Sequence, residues 1–313
     1  MTEKPPQNVA ESEITQMGEY FLVPRELAGK ITKVETPEPL PRPSRPERKG
    51  GVSPEKAKEI FKDKYFGPER LKEVYGVTLK TKDIPPITLS KKELREAESR
   101  GERLVLRVAT LENGQPATAK NIGALLKDKY AKAGKGEPVY ALAHSEHWEN
   151  NDPVFTDEVP RAGWVLESAD LLPGSKGENY ISQTKLLRDH AESLGLLTPS
   201  DKAEASDAEL EKLTTLMAKD WKAAVERLST MAVNRKFRRR SSEVYYDLFL
   251  TAGDPALPGF VRELEQTRDW TSSRAAGGDL VLVGYFGAKG VLGRRWIPDD
   301  AYGYVGVSFS RSV

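Results

Sequence analysis

Apolar residues along this chain follow two rhythms, and the change between them comes late. From about residue 53 the spacing of amphipathic helices dominates. "SPEKAKEIFKDKY" opens with Ser53 as N-cap and Pro54 at the first helical position. "GPERLKEVYG" repeats the device, with Leu71 and Val74 on one face and Gly76 as the stop. Ser90, followed three residues later by Glu93, predicts a capping box over "LSKKELREAESRG". Alternation then takes over in "ERLVLRVAT" (102–110), a predicted strand with Leu104, Leu106 and Val108 on one side. Helical spacing returns from Thr118 in "TAKNIGALLKDKYAKAG". The middle reads as short strands at 138–143 and around 163–166 with a polar loop between them. "ENYISQTKLLRDHAES" and "SSEVYYDLFLTAGD" read as helices. The longest apolar stripe passes through Leu210, Leu213, Met217, Trp221, Ala224, Leu228 and Met231. It predicts one helix over 206–231, opened by a capping box of Ser206 and Glu209. After Thr267 strands and turns prevail: "DWTSSR", "GDLVLVGYF", "GRRW", "VGVSFSR". The expectation is an α+β chain, helical first, with a compact irregular β region at the C-terminus.

Proline and charge mark the divisions. "TPEPLPRPSRPERKGG" (36–51) cannot bury a core, so residues 1–52 are expected to be a Pro-rich tail or linker. Its "PRPSRP" has the PxxP spacing of an SH3 ligand, a minority reading. "EYFLVPREL" (19–27) is expected to pack on the folded body. Residues 53–100 are expected to form a small helical accessory segment, and 101–313 one domain.

Composition narrows the chemistry. The 313 residues carry 48 Lys plus Arg against 47 Asp plus Glu, a net charge of +1, which disfavours a general polyanion binder. The absence of cysteine removes disulfides, thiolate nucleophiles and Cys-ligated metal sites. No stretch approaches the roughly 18 apolar residues of a membrane span. With no apolar leader at the N-terminus, a cytoplasmic protein is the default expectation, and surface or virion display is the other. In "HSEHWEN", His144 and His147 lie beside Glu146 and Glu149. That is a metal-pair spacing without a third ligand, and a solvated loop is the plainer reading. His190 is the remaining histidine. "NRKFRRRSSE" (234–243) holds five cations, and its segment 235–240 is either a nucleic-acid contact or a solvated turn between helices. "GAKGVLG" (287–293) lacks the Lys-Ser/Thr of a phosphate loop and reads as turns. No Ser-His-Asp order, catalytic carboxylate pair, nucleotide fingerprint or calcium cage is visible, so no enzyme and no cofactor are expected.

The last forty residues do not fit an ordinary strand pattern. "GRRWIPDDAYGYVGVSFSR" (293–311) crowds Arg, Trp, Ile, Asp and Tyr together without a period. With "WTSSR" (270–274), "GDLVLVGYF" (278–286), the Trp296-x-Pro298-Asp299 element and the closing "GVSFSR", it resembles the variable proteins of diversity-generating retroelements. Those carry a C-type-lectin fold of the formylglycine-generating-enzyme-like type. "RAGWVLES", "ENYISQTKLL" and "SEVYYDLFL" look like upstream segments of such proteins, so the likeness spans roughly 55–311.

The resemblance implies a lectin-like domain over 101–313 with a variable region at about 270–305. It also implies a ligand-binding role toward an unknown protein or cell-surface partner, without nucleic acid. In that family Asn codons vary at their first two bases, which yields a residue set that excludes Lys, Glu, Gln, Met and Trp. Leu282, Tyr285, Leu292, Arg294, Arg295, Ile297, Asp300, Tyr302 and Tyr304 all belong to the permitted set. They are the expected ligand-binding positions. Trp270, Trp296, Pro298, Gly306, Phe309 and Arg311 are the expected scaffold, with Trp296 a buried ring that pins the loop. Large, mixed-character Tyr and Arg side chains suit a binding face better than an ordinary exposed β edge. The rival enzyme reading, a metal-dependent relative of the same superfamily, requires the fold to gather the three histidines.

Overall fold

The first helices form where their caps predict them. In the computed structural model, which describes residues 51–313, the Ser53 hydroxyl accepts from the Lys56 amide and helix α1 runs Pro54–Phe61. The tail, its PxxP segment and the 19–27 stretch lie outside the described residues, apart from Gly51 and Val52. Strand β1 (Tyr65–Phe66) follows, then α2 (Pro68–Tyr75), ended by Gly76 in the left-handed region. The Ser90–Glu93 capping box starts α3 (Lys91–Ser99). Next come β2 (Glu102–Arg107), α4 (Ala119–Lys132), the single turns α5 (Tyr140–Ala143) and α6 (Pro153–Thr156), and β3 (Gly163–Ser168). A helical run then carries α7 (Tyr180–Ser193), α8 (Pro199–Glu204), α9 (Asp207–Lys219), α10 (Trp221–Thr230), α11 (Ala232–Phe237) and α12 (Ser241–Ala252). The chain closes with β4 (Arg268–Arg274), β5 (Leu280–Gly287), β6 (Gly290–Trp296), β7 (Val305–Gly306) and β8 (Ser310–Ser312).

Two four-stranded mixed sheets result, ordered β1-β2-β3-β8 and β6-β5-β4-β7. The last strand therefore returns to pair with β3, which lies far upstream in sequence. Helix α12 is buried on every side. Its Tyr246 hydroxyl meets the β2 backbone, accepting from Val108 and donating to Leu106, while the helix packs on β4 and β5. The second sheet separates two apolar clusters. Val281 and Val283 face the one containing α12; Trp270, Leu280, Leu282 and Val305 face the one containing α7 to α11.

Four sequence expectations change. The predicted strand at 138–143 is the turn α5, and only Val139 bridges a strand partner, Val291. The single helix predicted over 206–231 is broken at Asp220 (φ −150°, ψ 84°), whose carboxylate caps α10 by accepting from the Ala223 amide at 3.1 Å. The apolar stripe continues across the break, so periodicity could not reveal it. Ser206 caps α9, but Glu209 turns away to Lys212 and does not complete the box. The boundary expected at 100/101 falls inside one core: Leu71, Val74 and Leu94 share a cluster with Leu104 and Phe249, and β1 pairs with β2.

Candidate functional site

Charged groups occupy the space between the two sheets. Helical spacing places Glu243 and Asp247 one turn apart on α12, and β2 presents Arg107 to them. Arg107 donates to both Asp247 oxygens, at 2.9 and 2.5 Å, and lies 3.3 Å from Glu167 and 3.4 Å from Glu243. Arg239 reaches the same centre from the α11–α12 connection. It contacts Glu167 at 3.4 Å, Asp247 at 3.3 Å and Asp269 at 2.9 Å, and donates to the Ser308 hydroxyl at 2.8 Å. Arg161 holds Glu243 from outside at 2.6 Å. Burial works against the Glu243 charge, but Arg107 and Arg161 outweigh it and keep its pKa down at about 2. Burial and the adjacent Asp247 push the Glu167 pKa up. Arg107, Arg161 and Arg239 find their partners among Glu167, Glu243, Asp247 and Asp269, so the cluster pairs within itself.

The rim of the second sheet is arranged differently. Gly284 lies so close to β4 that a Cβ there would sit 2.3 Å from the Thr267 carbonyl oxygen. The register of β5 on β6 slips between Gly284 and Gly287, and Tyr285 takes a positive φ of 50°. Its ring lies 5.5 Å from that of Tyr304, which stacks on Tyr302 at 5.4 Å, which meets the indole of Trp296 edge-on at 5.1 Å. Beneath these half-buried rings lies Arg268, with its guanidinium carbon 3.7 Å from the Tyr285 centroid and 5.2 Å from that of Tyr304. Arg268 is 5% exposed, and its Nε has no acceptor. None of the ion pairs among the described residues includes it. Burial lowers its pKa; Tyr285 and Tyr304 ease the charge, and Arg294 opposes it.

The expected binding positions divide. Strand register puts Leu292 and Arg294 opposite Gly284 and Leu282, on the face with Trp296; Arg295, opposite Val281, takes the other face and lies over the Trp148 ring at 5.1 Å. Leu292, Arg294, Ile297, Asp300, Tyr285, Tyr302 and Tyr304 all retain exposed surface, Ile297 at 44%. Leu282 does not. At 1% exposed it packs with Trp270 and Val305 in the core, because alternation along β5 turns it inward. Trp296 is half-buried, so it belongs partly to the surface it was expected only to support, and its indole donates to Asp300. Trp270, Pro298, Gly306 and Phe309 are buried, with Phe309 stacked on Phe237 at 5.3 Å; Arg311 pairs with Glu102 at 3.4 Å.

The histidines are not gathered. His144 and His147 both pack on Tyr140, while His190 packs on Phe309. Among the described residues no three His, Asp or Glu side chains are arranged so that they could hold a metal ion. Glu149 lies inside, accepting from the Tyr245 hydroxyl at 2.6 Å, and burial raises its pKa to about 7. The basic segment 235–240 is not a solvated turn. Arg238 and Arg239 are buried, and Arg238 is satisfied by Asn234, Thr184 and the Trp270 carbonyl while stacked on Tyr180. Lys236 pairs with Asp201. Arg235 and Arg240 stay exposed, so the block is split between two buried and three solvent-facing cations. No helix among the described residues is long and apolar enough to cross a membrane. Comparison with protein-family models, curated proteins and solved structures found no match.

Proposed function

We propose that this chain is a recognition protein whose binding surface is the rim formed by Tyr285, Leu292, Arg294, Trp296, Ile297, Asp300, Tyr302 and Tyr304. The partner is a protein surface, and no catalysis is involved. The observation that carries this reading is the continuous run of four half-buried aromatic rings supplied by β5, the end of β6 and the β6–β7 connection. Aromatic and Arg side chains are the usual anchors of protein interfaces, and rings held by their neighbours lose little entropy on binding.

The same proposal includes diversification by a retroelement on a lectin-like scaffold. Its support is that the rim residues of the permitted set touch solvent while Trp270, Pro298 and Phe309 stay in the core. Leu282 leaves the variable set, since varying it would disturb the core. The test is the nucleotide sequence. Codons for Tyr285, Leu292, Arg294, Ile297, Asp300, Tyr302 and Tyr304 should end in C or T. A near-identical template copy should lie nearby, with adenines at those positions. Purine-ending codons at most of these positions, with no template, would remove diversification and leave a fixed recognition surface.

A further inference from the structure

We propose that Arg268 is the constant receptor of this rim for an acidic side chain, an Asp or Glu carboxylate presented by the partner protein next to an apolar residue. The inference rests on the rim being a recognition surface, and it is independent of diversification.

The starting point is an imbalance. Arg107 and Arg239, which lie deeper in the molecule, each meet two or more carboxylates. Arg238 meets none, but its donors are taken up by an amide oxygen, a hydroxyl and a carbonyl. Arg268 has no carboxylate among the described residues, and its Nε has no acceptor. Its compensation comes from the faces of Tyr285 and Tyr304 and from a side-chain hydrogen bond with Tyr304. Arg294, on the same face of the sheet, adds a second positive charge and no negative one. A desolvated guanidinium in this state gains charge-assisted hydrogen bonds when an anion arrives, and gives up little hydration for them.

The geometry also limits the anion. One guanidinium fork under aromatic rings matches one planar carboxylate. A phosphate or sulfate group would call for a cluster of cations, and the neighbours of Arg268 are phenol rings. Those rings, with Trp296 and Ile297 beyond, offer apolar contact to whatever flanks the carboxylate. Arg268 also lies just outside the expected variable region of 270–305. A varied surface would thus keep one fixed electrostatic demand, while the surrounding positions choose among partners that meet it.

Blocked peptides can serve as probes, with acetyl-Phe-Glu-Phe-amide compared with acetyl-Phe-Gln-Phe-amide on the full chain. Binding is followed by tryptophan fluorescence and by the Arg Nε–H NMR signals. The Glu peptide should bind more tightly by about fivefold, the order expected when a charged acceptor replaces a neutral one. It should shift one Arg Nε–H signal, which should be absent in Arg268→Met. Arg268→Lys, which keeps charge without the fork, should retain part of the preference. Added salt should narrow it.

Equal binding of the two peptides would overturn the proposal and leave an uncharged aromatic surface. So would failure of both to bind. Tighter binding of the phosphoserine analogue than of the Glu peptide would overturn the carboxylate assignment in favour of phosphate. Because the peptide comparison uses the unaltered protein, poor folding of Arg268→Met would leave the test intact. Loss of the template and codon pattern would not touch this result, so the two readings fail separately.

Discussion

Two arginine-centred regions of this molecule differ in one respect. Between the sheets, Arg107 and Arg239 are surrounded by Glu167, Asp247, Asp269 and Glu243. At the rim, Arg268 is surrounded by rings. The first region pairs its charges within itself, so removing one member leaves another uncompensated. The second holds a buried charge that no carboxylate of the described residues meets. Buried charge is structural in one place and, on our proposal, a receiving site in the other. What separates them is whether a counter-charge lies beside the arginine among the described residues.

The largest effect should come from breaking the closed region. Arg107→Leu leaves Asp247 short of its bidentate partner and should cost about 3–5 kcal/mol in denaturant unfolding, as removal of one member of a buried pair does. A loss under about 1 kcal/mol would show that the network is wet or loosely held. Next is Leu282→Ala. If the residue is core as its burial indicates, the loss is about 2–5 kcal/mol. A melting temperature unchanged from the parent would return Leu282 to the display surface.

A smaller, pH-dependent effect separates interior from rim. Glu167 and Glu149 both titrate above the ordinary 4.5 when folded, Glu149 near 7. The folded chain then holds more protons than the unfolded one above pH 4.5, up to about 7 for Glu149. Their contribution to stability is complete below 4.5 and falls as pH rises through that window. Glu149→Gln keeps a neutral group at all pH values. Its stability deficit against the parent should therefore shrink by about 2–3 kcal/mol between pH 5 and 8. A deficit that stays constant with pH would mean Glu149 is ionised inside.

The smallest effect belongs to the open region. Arg294→Ser and Tyr302→Ser should each change stability by no more than roughly 0.5 kcal/mol, as surface substitutions do. Urea midpoints would check this, and a loss above about 2 kcal/mol at either residue would make the rim part of the core.

Much of the first region's framework was legible in the sequence. Caps at Ser53, Ser90 and Thr118 are local hydrogen bonds, and alternation in 102–107 is a local period, so both survive in a single-sequence reading. The helix "SSEVYYDLFLTA" was legible too, as was the mixed aromatic and basic character of the C-terminal hairpin. The Asp220 break was not, because the apolar stripe crosses it without losing phase. The basic block 235–240 misled for a related reason: charge in a sequence carries no sign of whether its partner is water or a distant carboxylate.

The sequence by itself determined where helices start, that the chain ends in strands and turns, and that it carries no thiol chemistry. Each of these depends on residues within a few positions of one another, or on composition alone. Tertiary structure decided the rest. Arg107 finds Asp247 140 residues away, and Arg239 finds Asp269 30 residues on. Adjacent Arg294 and Arg295 part to opposite faces because a strand alternates, and Leu282 is enclosed because helices cover its side of the sheet. Arg268 lacks a counter-charge because no element packed over it among the described residues brings one. Long-range pairing is set by packing of the whole chain, and no local pattern encodes which buried cation will be the one left open.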